Sequence, residues 1–153
     1  MFKALRLASL AIFALAAPLS AQDSPPEADG LRIVEITADN NPALDEFLWI
    51  ARPLVVFADS PNDPRFIEQM EYIAARESDL IDRDVVVITD TDPGISSAIR
   101  ETLRPRGFDF VLIGKDGQKY LRKPLPWDVR EITRSIDKMP MRQQELRDLR
   151  ATE

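Results

Sequence analysis

Six residues combine a ligating or reactive side chain with a place where such groups gather: Asp59, Ser60, Asp63, Asp90, Asp92 and Asp109. Asp59, Ser60 and Asp63 follow the apolar run at 53–58, Asp90 and Asp92 follow a second at 84–89, and Asp109 heads a third at 108–113. Carboxylates brought together from separate loops make the donor set of a hard cation such as Ca²⁺, which takes about six to eight oxygens. A plainer role competes with that one. Asp63 and Asp92 each stand before a proline, the arrangement of a helix N-cap followed by its first helical residue, and the other acids then stay in solvated loops. No calcium-loop pattern is present, so capping is preferred and no metal ligand is assigned. Ser60 lacks both an activating base and a Gly-x-Ser-x-Gly elbow, so no catalytic residue is assigned either.

The chain has 153 residues and contains neither cysteine nor histidine. Without a thiol there is no disulfide and no thiol chemistry. Without an imidazole the usual general base near neutral pH and the commonest nitrogen ligand for zinc are gone. No cofactor is implied. Twenty basic against 26 acidic groups give a formal net charge of −6. A surface of this sign repels phosphate backbones and anionic headgroups, which weighs against nucleic acid and membrane surfaces as partners.

Residues 1–21 read as a secretory signal peptide: Lys3 and Arg6, an uncharged apolar stretch at 7–17, then Pro18-Leu19-Ser20-Ala21 before Gln22. Its removal takes away two basic groups and leaves a net charge of −8. The expected location is the periplasm of a Gram-negative bacterium or the medium, with no membrane insertion after cleavage. A polar, proline-containing linker at 22–32 follows.

The elements that must position the six residues are legible from hydrophobic periodicity. Ile33, Val34 and Ile36 suggest a short edge strand, and residues 42–49 a short helix opened by Pro42. The runs at 53–58 and 84–89 are apolar on both faces, as central strands covered on each side must be. Between them Phe66, Ile67, Met70, Ile73 and Ala74 recur at helical spacing after Pro64. A helix restarting at Asp92-Pro93 is expected to bury Ile95, Ile99 and Leu103. The strand at 108–113 leads through Gly114-Lys115-Asp116-Gly117 into an alternating strand, Gln118-Lys119-Tyr120-Leu121, as a hairpin. A last helix from about 127 to 138 carries Val129, Ile132, Ile136 and Met139 on one stripe. The first two central strands are then parallel and the last two antiparallel. This is an α/β, three-layer, thioredoxin-like fold over 33–145, with a mixed sheet of four to five strands flanked by helices, and a charged tail at 146–153. In it the first strand's C-terminus and the start of the third strand share one edge of the sheet, where ligands of open α/β sheets bind.

A second candidate surface surrounds the last helix. Arg130 and Arg134 are four residues apart and share a face, with Arg122 and Lys123 expected nearby. Trp127, Met139, Met141 and Arg142 complete it, because two exposed methionines beside a proline are costly unless they dock on the domain or on a partner.

The order and spacing of several short stretches resemble a known family. They are Trp49 with Arg52-Pro53-Leu54-Val55-Val56-Phe57-Ala58, Arg83-Asp84-Val85-Val86-Val87, Gly114-Lys115-Asp116-Gly117, and Ile136-Asp137-Lys138-Met139-Pro140-Met141-Arg142. Over roughly 47–145 the chain is similar to the bacterial domain-of-unknown-function 4174 family. That family resembles the P-DUDES domains of animal extracellular-matrix proteins and, in fold, the peroxiredoxins. The resemblance implies a thioredoxin-like fold and an extracytoplasmic setting, and no established reaction. Where a thioredoxin carries Cys-x-x-Cys this chain has Asp59-Ser60-Pro61-Asn62-Asp63, and Asp109 takes the place of its conserved proline. A redox-inactive binding module for a periplasmic protein or small ligand is therefore expected. The alternative is a metal-binding protein or metal-assisted hydrolase using the acidic edge.

Overall fold

The computed structural model describes residues 30–152. The expected signal peptide and the first eight linker residues, 22–29, lie outside the described residues. Leu31 and Arg32, assigned to the linker from the sequence, already belong to the domain: Leu31 packs on the core, and the Arg32 carbonyl accepts the Val87 N–H at 3.0 Å.

Strands β1 (Ile33–Glu35), β2 (Arg52–Phe57), β3 (Val85–Asp90), β4 (Asp109–Ile113) and β5 (Lys119–Lys123) form one sheet in the order β1-β3-β2-β4-β5. The pairs β1/β3 and β2/β3 are parallel, and β2/β4 and β4/β5 antiparallel. This is the mixed, thioredoxin-like sheet expected from the crossover rule and the hairpin.

Every residue of β2, β3 and β4 is buried, which requires cover on both faces. Side-chain alternation splits those residues between two cores. Leu54, Val56, Val87, Phe110 and Leu112 meet Ile73 of α1 (Pro64–Ala74), Leu80 of α2 (Glu77–Ile81), and Val129, Ile132 and Ile136 of α4 (Val129–Asp137). Val55, Phe57, Ile88, Val111 and Ile113 meet Ile99 and Leu103 of α3 (Ala98–Leu103), and Phe47 of a 3₁₀ turn at Leu44–Phe47. Each such aliphatic or aromatic side chain contributes about 1.5–3 kcal/mol when taken fully out of water.

One expectation needs correction. The segment after Asp92 is not one helix but a 3₁₀ turn, Pro93–Ile95, that ends where Ser96 turns left-handed at φ 50°. Helix α3 starts afresh behind Ser97, whose hydroxyl accepts the Arg100 N–H at 3.0 Å. Gly94 and two serines favour a break because they gain little in a helix and their hydroxyls bond the backbone locally. Ile95 consequently stays half-buried, while Ile99 and Leu103 are core. The charged tail continues the last helix of the chain. Helix α5 runs from Pro140 to Ala151 without a break at 145, on a sequence rich in Gln, Arg, Leu and Glu, all good helix formers.

The outermost strands differ from the central three. β1 is three residues long, and β5 alternates between exposed and half-buried residues, with Lys119, Arg122 and Lys123 among them. Among the described residues no helix is long and apolar enough to cross a membrane.

Candidate functional site

The register fixes what the C-terminal edge of the sheet can present. Phe57, the last residue of β2, lies opposite Asp90 on one side and Asp109 on the other. Alternation turns all three side chains to the α3 face, so the two carboxylates stand two strand spacings apart, about 10 Å. The Phe57 side chain stands between them, and each carboxylate has its own arginine. Asp90 is fully buried; the Ser97 hydroxyl donates to it at 2.5 Å and Arg100 forks onto it at 2.6 and 3.1 Å. The same guanidinium donates to the Ala58 and Asp90 carbonyls and lies over the Phe57 ring, 5.3 Å from its centre. Asp109, 5% exposed, accepts from Arg122. These two acids are therefore buried and ion-paired, Asp109 to an arginine that stays partly exposed, and are not the solvated loop acids expected.

The other four edge residues serve the turns. Asp63 caps α1, accepting the Arg65 N–H at 2.9 Å, and the side-chain hydrogen bond from Arg65 holds its carboxyl below the usual carboxylate range. Asp92 accepts the Gly94 N–H at 2.9 Å and so caps only the 3₁₀ turn. The Ser60 hydroxyl accepts the Asn62 N–H at 3.2 Å. Asp59 is exposed and lies against Gly107, 3.7 Å from where a Cβ would stand. Among the described residues no three acidic groups gather where a metal could be held, so the metal-site reading of this edge loses its geometry.

What the edge does present is basic. The loop from α3 to β4, Arg104-Pro105-Arg106-Gly107, forms one wall of a concavity of about 480 Å³ whose other walls are Phe108, Asp109, Arg122 and Pro124. Arg122 is locked in place, donating to the Leu103 carbonyl at 2.8 Å and the Arg104 carbonyl at 3.2 Å as well as to Asp109. Arg104 and Arg106 are exposed and make no ion pair among the described residues. Arg104 adopts a left-handed conformation, φ 49° and ψ 60°, immediately before a proline, which disfavours it. Acid-centred reading of the sequence missed this trio. The readable signal was two arginines spaced around a proline in the loop that enters the third core strand.

The second candidate surface is largely taken up by the domain itself. Met139 is a core residue at 2% exposure, because the chain turns inward between α4 and α5. Arg142 is bound by Glu145 at 3.1 Å and by the Asp82 carbonyl at 3.0 Å. Trp127 is half-buried, with its backbone held at both ends by Gln69 and Lys123 over its ring at 4.8 Å. Met141 is half-buried; Arg130 and Arg134 remain exposed on α4, Arg134 paired to Glu131 at 2.6 Å. Arg122 lies across the sheet from that helix, opposite Val111 and on the α3 face.

With the fold and edge described, comparison adds the family. The sequence matches the Domain of unknown function (DUF4174) over residues 43–145, about two thirds of the chain. The chain belongs to the DUF4174 family. No curated protein matches this DUF4174 chain. Two solved structures share its general outline. A thioredoxin peroxidase I of Plasmodium yoelii is 16% identical at a TM-score of 0.47, covering 66% of this chain and 79% of its own. The mitochondrial 2-Cys peroxiredoxin of Plasmodium falciparum is 17% identical at 0.43, covering 71% and 85%. The DUF4174 domain itself has no cysteine and so performs no thiol peroxidase chemistry.

Proposed function

We propose that this chain is an exported, redox-inactive binding module that engages a periplasmic protein or small ligand at the C-terminal edge of its sheet. The carrying observation is the make-up of that edge. The chain has no histidine or cysteine, the two buried carboxylates of the edge are tied to arginines, and a concavity there is walled by guanidiniums. A guanidinium stays charged and donates hydrogen bonds at all working pH values, so it can hold a partner but cannot shuttle protons. Export is supported by the basic, apolar and small-residue order of residues 1–21.

Two measurements test the reading. Photo-crosslinking in the periplasm from a probe at Arg106 is expected to give a discrete adduct that the same probe at Arg134, on the far face, does not give. Turnover of ester, phosphate or peroxide substrates by the purified chain would overturn it. For export, N-terminal sequencing of the periplasmic protein is expected to begin at Gln22; full-length chain confined to the cytoplasm would defeat that part.

A further inference from the structure

Resting on the binding-module reading, we infer that the concavity walled by Arg104, Arg106 and Arg122 is a site for a small organic anion, an oxyanion head carried on an apolar body. Four features of the place lead there.

The first is unbalanced charge. Five arginines stand at this edge: Arg65, Arg100, Arg104, Arg106 and Arg122. Asp63, Asp90 and Asp109 pair with Arg65, Arg100 and Arg122. Asp59, which lies against Gly107, and Asp92, which caps the Pro93–Ile95 turn, are the remaining acids of the edge, and neither lines the concavity. The walls of the concavity therefore carry three arginines against the single carboxylate of Asp109, a local excess of positive charge on a chain whose formal charge is −6. Loops of an acidic protein gain nothing in stability from such an excess, whereas a bound anion would neutralise it.

The second is rigidity. The three hydrogen bonds of Arg122 fix one guanidinium at the cleft wall before any ligand arrives. Its exposed side, about 41% of the side chain, stays open to the concavity. A pre-set planar fork loses little rotamer freedom on binding, which suits paired hydrogen bonds to a carboxylate or phosphate.

The third is the strained loop. Arg104 at φ 49° before Pro105, and Gly107 at φ 65°, bend the chain sharply on either side of Arg106. The Arg122 hydrogen bond to the Arg104 carbonyl helps hold that bend, so strain here shapes the wall that carries the two unpaired arginines.

The fourth is the lining. Pro124, exposed beside the cations, and the aliphatic stems of the arginines supply apolar surface, with Phe108 buried beneath at 1% exposure. A bare inorganic ion would leave that surface wet; an anion with a hydrocarbon or aromatic body would cover it. The volume of about 480 Å³ fits a small molecule or a single chain end, and not a folded partner.

Titration calorimetry on the full chain with four probes tests the inference: phenylacetate, phenyl phosphate, 2-phenylethanol and acetate. The two aryl anions are expected to bind at least about tenfold more tightly than the alcohol, which lacks the charge, and than acetate, which lacks the body. Amide resonances of residues 104–109 should shift with the same saturation. Whichever aryl anion binds better identifies the head as carboxylate or phosphate. Arg106→Ala should weaken binding about tenfold and Arg106→Lys much less, with the melting curve unchanged in both, because Arg106 is exposed and unpaired. Equal binding of 2-phenylethanol, saturation by neither aryl anion at about 10 mM, or full affinity in the Arg106→Ala chain would overturn the anion site. Release of inorganic phosphate from phenyl phosphate separates the two readings: turnover would end the binding-module proposal while leaving the anion site standing. Failure of both anions to bind, without turnover, would end only the anion site.

Discussion

Arg52, at the start of β2, is fully buried and its guanidinium donates to Glu145 and to the Arg83 carbonyl, both at 2.8 Å. Arg106, beyond the far end of the same strand, is exposed and meets no carboxylate among the described residues. Around Arg52 the charges close on one another. Lys115 reaches Asp84 at 2.7 Å and Glu145 at 3.0 Å, and Arg142 reaches Glu145 at 3.1 Å, so a single carboxylate from α5 gathers three cations. Burial alone would push the Glu145 carboxyl up; the hydrogen bonds from Arg52, Lys115 and Arg142 outweigh it and hold it down to about 2. At the other end the pairs Asp90–Arg100 and Asp109–Arg122 are closed too, yet Arg104 and Arg106 in the concavity wall, and Asp59 and Asp92 outside it, are left without an ion pair among the described residues. One end of the strand uses charge to fasten a helix; the other keeps some of it unsatisfied. Groups that contribute little to folding and sit in a concavity are the ones available for recognition.

The largest effect should come from the fastened end. Glu145→Ala leaves buried Arg52 with only the more distant carboxylate of Asp84, at 3.8 Å, and is expected to cost about 3 kcal/mol in chemical denaturation, while phenylacetate binding at the opposite end stays unchanged. Asp90→Asn removes the charge that holds Arg100 over Phe57 and should cost about 2 kcal/mol; it also loosens α3, so binding should fall with it. The acid limb of stability sharpens the contrast. Because the folded Glu145 carboxyl titrates near 2 and its ordinary value is 4.5, its contribution is complete above pH 4.5 and is lost as pH falls from 4.5 toward 2. Thermal melts of the parent and the Glu145→Ala chain should therefore converge over that window. Asp63→Ala removes the cap of α1 and should cost about 1 kcal/mol. Arg106→Ala should change stability by less than about 0.5 kcal/mol; a larger loss would mean that its charge is structural after all.

The strands were legible because their pattern is strong: the two runs at 53–58 and 84–89, apolar on both faces, read as central strands, and Gly114 to Gly117 as the turn of a hairpin. Gly117 adopts φ 77° and its N–H bonds back to the Gly114 carbonyl at 3.0 Å, as that turn requires. The caps at Asp63 and Asp92 were legible from the proline that follows each. The pairing of Asp90 with Arg100 and of Asp109 with Arg122 was not, because it depends on register and on which face of the sheet each residue takes. A one-residue shift would have sent Arg122 to the α4 side, where the sequence placed it. Met139 was legible only in part: it continues the apolar stripe of Val129, Ile132 and Ile136, but its place beside Pro140 and Met141 also put it on the candidate partner surface, whereas the bend before α5 carries it into the core. Trp49 shows the limit in the opposite direction. A large aromatic is ordinarily core or lid, and this one stands 68% exposed in a left-handed conformation at φ 64°.

The flanks of the sheet carry a consequence for how the molecule behaves in company. A long, uncharged outer strand invites a neighbour to add its own and so to start a fibril. Here one flank ends after three residues and the other bristles with Lys119, Arg122 and Lys123, so an approaching copy finds either too short a template or like charge. Crowded solutions of this protein should stay clear where an unguarded sheet of the same size would polymerise.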